Sequence, residues 1–447
     1  MRKMLLKCLC LLLALMYLSP VSAEELRISG ISDAHDAYQL ITGDHPDMTV
    51  IAELSRYRSD TQLVNAFLSR EFVYDVFSMN TASFHVEQLF AKGYCADLSS
   101  SDVIRQAVFE MHPSIQKLVM FDDAIYGLPY SAYISFLCYD KDIWDYAGLS
   151  EEDVPDSFPA LLDFLENWLN RVEDDPDNDI GVYGLFDESM YSEASYTNLL
   201  TTWLVNEHIM QCSFANGPLR FDTPDFLLLL SRCEEIGRRL YDADPTFSCK
   251  YALFTTSSFM TDIEQVVSLR LNKQQPELIR ASLTLFLIYE GSEHKERALE
   301  FIEDCLQVME DHHRAFLFSE ATPVENEDYE GSVAFWQEKV DAAQMNLDTV
   351  SDADRRDAEI ELERLKTVLA AVSDPENRYL ILPEQLASYQ AYGNALFFQP
   401  PSVFSADTEE GQNVRSLISQ FAYGQLPADM LAKRMNELAI MLENEQQ

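Results

Sequence analysis

The sequence predicts an α/β protein with two lobes, and three observations support this prediction. The chain has 447 residues, which suits two domains of roughly 100–200 residues each. Strand and helix patterns alternate near the amino end, as they do in a parallel sheet covered by helices. A mostly helical block follows, and the chain then returns to strands.

The amino-terminal alternation contains three short, mainly apolar segments. Residues 26–30, 48–54 and 73–79 have the pattern of strands. A mixed segment containing Tyr38 and the amphipathic run 61–69 are predicted to be the helices between them. This order predicts a parallel sheet.

The helical block contains three long apolar faces. Residues 158–172 and 195–210 form the first two, and Thr223 with Pro224 marks the start of the third as N-cap and first helical residue. Trp144, on a short helix before this block, is predicted to lie in the core. Residues 133–139 are predicted to form a strand that passes between the lobes.

A separate segment, residues 332–373, has a different pattern. Trp336, Val340, Ala343 and Leu347 recur at intervals of four, three and four residues, and a second run continues the same spacing. This predicts an antiparallel helical hairpin with a heptad-like seam. The hairpin is either a surface insertion that packs on itself or a partner-binding protrusion.

The first 23 residues are predicted to be a secretory signal peptide. A basic start is followed by an apolar run, by Pro20 and by small residues, with cleavage expected after Ala23. A membrane anchor is the alternative, although Lys7 interrupts an apolar run that is short for a spanning helix. Cys8 and Cys10 lie too early to be lipidation sites.

Charge and cysteine content exclude several classes of function. The net charge is -43, so nucleic acid and anionic lipid surfaces, which require basic patches, are not expected partners. No CxxC or Cys/His cluster points to zinc, and disulfide pairing is left open. The cysteines after the signal segment are Cys95, Cys138, Cys212, Cys233, Cys249 and Cys305.

No segment predicts catalysis, a metal site or a cofactor. The acidic run 175–179 resembles the start of a calcium loop, but Ile180 stands in place of the required Gly and Phe186 in place of the bidentate Glu. The run 311–313, Asp-His-His, has no companion carboxylate motif and is predicted to be surface. No GxSxG, HExxH, P-loop or GxGxxG motif occurs.

Three segments resemble the extracellular solute-binding proteins of ABC importers, in particular the carbohydrate-binding group (family 1) that includes maltose-binding protein. They are residues 74–100, 124–149 and 281–306. The second contains the Tyr-Gly-Leu-Pro turn and a Tyr-Asp-Lys-Asp step, where Asp140 replaces the usual Asn. The order and spacing of the three segments are the specific part of the resemblance.

The resemblance implies a two-lobed periplasmic-binding-protein-like fold of type II, with the ligand in the cleft between lobes that close on binding. Lobe I is predicted to comprise 24–131 and 281–320, and lobe II to comprise 132–280 and 321–447, with the hairpin as an insertion. The implied function is capture of a small solute, a sugar or oligosaccharide, outside the cytoplasm for delivery to the permease subunits of an importer. A monomer without catalytic activity is expected. The alternatives are a secreted carbohydrate-active enzyme and the ligand-binding subunit of a sensor system.

Candidate ligand-binding residues follow from what a sugar site requires. Aromatic faces cover the apolar side of the ring, and polar side chains pair with its hydroxyls. Loops at the carboxyl ends of strands and the crossover between lobes are the expected places. Core packing is the alternative role, above all for the two aromatic residues of the second lobe. The candidates are Asp33, His35, Tyr38, Ser78, Met79, Asn80, Tyr130, Tyr133, Trp203 and Phe259.

Overall fold

The computed structural model describes residues 24–29, 48–53, 56–57, 60–134, 136–174, 194–242, 253–256, 264–351, 355–383, 386–387, 390, 393–398 and 409–445. The predicted signal segment, the acidic run 175–179 and four candidate site residues lie outside the described residues; these four are Asp33, His35, Tyr38 and Phe259.

The described residues divide into two compact units. The first unit holds the residues up to Ala132 together with Ser282–Met309. The second unit holds Tyr133–Ala281, Glu310–Phe397 and the carboxyl-terminal helices. The boundaries of the lobes predicted from the sequence stay a prediction.

The first part of the chain forms strands and helices in alternation, with two short strands in a tight turn. In chain order these elements are β1 (Glu24–Ser29), β2 (Met48–Glu53), α1 (Asp60–Ser69), β3 (Val76–Asn80), α2 (Val86–Ala91), α3 (Asp102–Glu110), α4 (Pro113–Val119), β4 (Met120–Phe121), β5 (Ala124–Ile125) and β6 (Leu128–Ile134).

The middle of the chain is mainly helical. It contains β7 (Phe136–Asp140), α5 (Lys141–Tyr146), α6 (Phe158–Asp174), α7 (Ser195–Phe214), α8 (Pro224–Asp242), β8 (Leu253–Thr256), β9 (Glu264–Val267), β10 (Ile279–Ile288) and α9 (Lys295–Gln307).

The remaining elements include the predicted hairpin. They are α10 (Asp311–Leu317), β11 (Val324–Glu325), α11 (Tyr329–Thr349), α12 (Arg355–Val372), β12 (Tyr379–Ile381), β13 (Leu396–Phe398), α13 (Glu409–Ala422) and α14 (Ala428–Glu445). Two short 3-10 helices, Glu151–Asp153 and Pro375–Arg378, accompany these elements.

The largest sheet has the strand order β13-β10-β3-β1-β2, and β6 also pairs with β10. Strand β1 is parallel to both β2 and β3, whereas β10 is antiparallel to β3. The parallel sheet predicted at the amino end is therefore confirmed. In β1 and β2, buried residues alternate with exposed ones, so one face of each strand packs on the core.

One buried carboxylate joins two segments of the first unit. Asp75 accepts a hydrogen bond from the backbone N–H of Arg27 at 2.9 Å and another from the hydroxyl of Ser292. The Ser292 hydroxyl in turn accepts from the backbone N–H of His294. Asp75 is 8% exposed, so these donors replace the water that a carboxylate would otherwise bind.

The second unit contains a small antiparallel sheet in the order β8-β7-β9 and the three predicted long helices. Helix α8 begins at Pro224, and the backbone N–H of Phe226 donates to the Thr223 hydroxyl at 3.3 Å. The predicted N-cap is confirmed. Trp144 is 1% exposed, which confirms its core position.

Helices α7 and α8 approach closely at one glycine. A Cβ on Gly237 would lie 2.6 Å from the backbone Cα of Thr197. Real Cβ atoms do not come this near to backbone, so only glycine permits this separation of the two helices.

The helical hairpin is confirmed and has its own small core. Val340, Leu362 and Leu365 are buried between α11 and α12, with Trp336 and Leu347 packed against them. These are positions of the predicted seam.

A short ladder closes the base of the hairpin. The hydroxyl of Tyr329, at the start of α11, donates to the backbone oxygen of Ser373 at 3.0 Å. Strands β11 and β12 pair antiparallel just outside it, with Val324 opposite Ile381. The two chain ends of the hairpin are therefore held side by side.

Two further expectations concern cysteines and membranes. The five described cysteines are free, and Cys249 lies outside the described residues. Within the described part of the chain, every helix is too short or too polar to serve as a bilayer-spanning segment.

Candidate functional site

A cavity of about 110 Å³ lies within the second unit, and we call it the Trp203 cavity. Helix α7, strands β7 and β9, and the segment leading into β10 supply its walls. Leu137 of β7 lies opposite Val267 of β9 in the antiparallel register, so these strands form one continuous wall. Its lining is Leu137, Trp203, Asn206, Glu207, Met210, residues 266–269 and residues 277–280.

One face of helix α7 supplies the side chains with most functional groups. Trp203, Asn206, Glu207 and Met210 are spaced at i, i+3, i+4 and i+7, which places them in one row along a helix. The indole provides a flat apolar face, the amide both donates and accepts, and the carboxyl accepts. Helical geometry alone therefore brings three kinds of binding group to the same wall.

Glu207 is a buried carboxyl, with 4% of its surface exposed. Burial raises the pKa of Glu207 to about 7, and the nearby Glu277 raises it further, while a hydrogen bond from Gln211 opposes the shift. Gln211 donates through Nε2 to Oε1 of Glu207 at 2.7 Å. Near neutral pH the carboxyl thus exchanges between its charged and uncharged forms.

Two other lining groups are polar or charged. The hydroxyl of Ser268 is buried and forms no hydrogen bond with another described residue. Arg280 forms no ion pair with a described carboxylate; burial of its guanidinium lowers the pKa of Arg280, and the nearby Tyr133 opposes this shift. Buried polar atoms almost always form hydrogen bonds in folded proteins. The Ser268 hydroxyl can therefore form a hydrogen bond with a bound molecule.

The candidate residues of the first unit lie at the end of β3 and along β6. Met79 is 4% exposed, whereas Ser78 and Asn80 are partly exposed. The side chain of Asn80 accepts from the backbone N–H of Ala82 at 2.8 Å and so shapes the turn after the strand. Tyr130 is 3% exposed and its ring packs against Phe286.

The described candidate residues therefore lie in different places, some in the first unit and some in the second. Trp203 lines the cavity of the second unit, and Tyr133 is 58% exposed. Ser78, Met79 and Asn80 are brought together by β3 itself. Their roles in ligand binding stay predictions.

Four lining residues were not predicted from the sequence: Asn206, Glu207, Ser268 and Arg280. A weak signal for Glu207 was available, because it is an acidic residue in the apolar run that follows Trp203. Among the described residues, no group of three or more His, Cys, Asp or Glu side chains is placed to hold a metal ion.

Comparison with known proteins supports the resemblance seen in the motifs. The family model described as bacterial extracellular solute-binding protein matches residues 63–210, about one third of the chain. A search by sequence among curated proteins finds no significant match.

Solved structures extend the likeness to nearly the whole chain. The cyclic α-maltosyl-1,6-maltose binding protein of Arthrobacter globiformis matches with a TM-score of 0.51 and 14% identity, over 93% of this chain and 98% of that one. An ABC transporter solute-binding protein of Agrobacterium vitis S4 with bound D-mannitol has a TM-score of 0.50 and 16% identity, over 95% and 99%.

A third solute-binding protein, from Agrobacterium radiobacter K84 in complex with ribitol, gives a TM-score of 0.50 and 15% identity, over 95% of this chain and 100% of that one. At these identities the likeness establishes the fold. The chain thus has the two-domain, periplasmic-binding-protein-like fold of ABC transporter solute-binding proteins, and its residues 63–210 match the bacterial extracellular solute-binding family.

Proposed function

We propose that this protein is an extracytoplasmic solute-binding protein that captures a sugar or polyol and delivers it to an ABC importer. The observation that supports this most strongly is the match of fold along 93–95% of the chain to a cyclic maltosyl-maltose binding protein and to solute-binding proteins in complex with D-mannitol and ribitol. The matched family model points to the same class of protein.

The groups of the Trp203 cavity are those that a carbohydrate needs. An aromatic face suits the C–H side of a sugar, and carboxyl, amide and hydroxyl groups pair with its oxygens. The role is binding without chemistry, so we propose that no bond is made or broken. We further propose that the protein acts as a monomer and that its partners are the permease subunits of the importer.

A thermal-shift screen tests the proposal directly. D-mannitol, ribitol, maltose and a set of dipeptides are added at increasing concentration, and the melting temperature is measured. A ligand at 100 times its Kd stabilises the folded state by about 2.7 kcal/mol, so one sugar or polyol should raise the melting temperature in a saturable manner. A response to dipeptides alone would contradict the carbohydrate assignment.

Two further measurements distinguish a binding protein from an enzyme and test whether the solute is delivered into cells. Chromatography of the incubated sugars should show no new product, whereas turnover would contradict the binding role. Deletion of the gene should abolish uptake of the radiolabelled solute by cells, and re-expression should restore it.

A further inference from the structure

We propose that the Trp203 cavity holds the hydroxyl-bearing end of a neutral solute, either one end of a linear polyol or one edge of a sugar ring. This inference rests on the proposed function and adds the place in the chain where the solute is held. Four residues are central to it: Trp203, Glu207, Ser268 and Arg280.

The size of the cavity limits what can enter. Its volume of about 110 Å³ is somewhat smaller than the roughly 150 Å³ of a protein cavity that holds one benzene molecule. This space accommodates a fragment with two or three carbon atoms and their hydroxyls, and it excludes a complete oligosaccharide. The rest of a larger solute must therefore lie outside the cavity.

The polar groups of the lining favour hydroxyls. Among the described residues the buried Ser268 hydroxyl has no hydrogen-bond partner, and it can both donate and accept. Of the described residues, only Gln211 donates to the Glu207 carboxyl, at Oε1. A solute hydroxyl can fill these vacant positions because it too donates and accepts.

The charges of the lining favour a neutral ligand. Of the described lining residues, Glu207 and Glu277 carry carboxyl groups and Arg280 alone is a cation. An anionic sugar acid would face two carboxyls, and a cation would meet Arg280. The strands β7 and β9 add no titratable group to the lining.

Fluorine NMR on the intact protein tests the inference without changing the cavity. The protein has four tryptophans, and each gives one signal when labelled with 5-fluorotryptophan. Trp144 and Trp168 are buried, and Trp336 packs in the hairpin. Saturating D-mannitol or ribitol should shift the signal of Trp203, which is identified with the variant Trp203→Phe. Stoichiometric polyol binding with an unmoved Trp203 signal would overturn the inference and leave the proposed function intact.

Variants provide a second test by calorimetry at pH 7. Ser268→Ala should weaken the binding of the same polyol by about five- to tenfold, which corresponds to one lost hydrogen bond. Ser100→Ala is the matched control, since Ser100 is exposed and does not line the cavity. An unchanged Kd in Ser268→Ala would contradict the inference.

Ligands of different charge test whether the cavity prefers a neutral solute. Gluconate, which differs from a neutral hexitol by a carboxylate, should bind at least tenfold more weakly than D-mannitol. Tighter binding of gluconate, or of choline as a cationic probe, would overturn the neutral-ligand inference. If no sugar or polyol binds at all, the proposed function itself fails.

Discussion

Gln211 joins the buried Glu207 of helix α7 to a segment 65 residues further along the chain. Its Nε2 donates to Oε1 of Glu207 at 2.7 Å and to the backbone oxygen of Pro276 at 3.1 Å. One amide group therefore fixes both the rotamer of a buried acid and the loop that brings Glu277 and Arg280 to the cavity.

The pH dependence of the free energy of unfolding should reveal the raised pKa of Glu207. Its pKa is raised from 4.5 to about 7 in the folded protein, so the folded state holds a proton that the unfolded state releases. The resulting stabilisation is fully present below pH 4.5 and is lost as the pH rises through 7. The loss is on the order of 3 kcal/mol at about 1.4 kcal/mol per pKa unit.

Urea denaturation from pH 5 to 8 measures this effect as a difference between proteins. Relative to Glu207→Gln, the wild-type protein should lose stability across this range. Glu152→Gln is the control, because Glu152 is exposed. Parallel stability curves for wild type and Glu207→Gln would show that the carboxyl is ionised throughout.

A pair of glycine substitutions should have opposite effects. Gly237→Ala places a methyl group within 2.6 Å of the Thr197 backbone, and overpacking of this kind costs about 1–3 kcal/mol. Gly331 lies in helix α11 with no atom within 4 Å of an added Cβ. Gly331→Ala should therefore stabilise its helix by about 0.5–1 kcal/mol. Melting temperatures of the two variants check the signs, and stabilisation by Gly237→Ala would refute the close helix contact.

Loss of the Asp75 carboxylate should destabilise the first unit. Asp75→Ala leaves the backbone N–H of Arg27 and the hydroxyl of Ser292 without their acceptor. A buried donor left unpaired costs about 1–3 kcal/mol, which urea denaturation can measure. Asp145→Ala, at an exposed position on helix α5, should change stability by less than about 0.5 kcal/mol. Equal effects of the two substitutions would contradict the structural role of Asp75.

The hairpin core can be tested by hydrogen exchange. Leu362 is 3% exposed and Ile360 is 61% exposed on the same helix. Leu362→Ala should lower local stability by about 2–5 kcal/mol, with faster exchange in residues 329–372. Ile360→Ala should leave exchange nearly unchanged. Uniformly faster exchange over the whole chain in Leu362→Ala would instead mean that the hairpin unfolds together with its surroundings.

Local periodicity predicted the hairpin and the amino-terminal strands because each depends on residues close in sequence. Trp336, Val340 and Leu347 recur at helical spacing, and this spacing already specifies which face is buried. The described residues of the strand predicted for 133–139 are strand residues: β6 ends at Ile134 and β7 starts at Phe136, and residue 135 lies outside the described residues.

The cavity could be predicted only in part. Trp203 was a candidate because its flat aromatic face can stack on a sugar ring, but the residues around it depend on distant contacts. The burial of Glu207 requires the segment around Pro276, 65 residues from Gln211. No spacing rule links such positions, so Ser268 and Arg280 gave no signal in a single sequence.

The closed base of the hairpin makes the two helices a removable module. Tyr329 meets Ser373 at the point of entry, and the β11–β12 ladder sets the separation of the two chain ends. The segment between them can change in length without changing that separation. The hairpin tip is therefore the natural position at which to fuse a reporter to this protein.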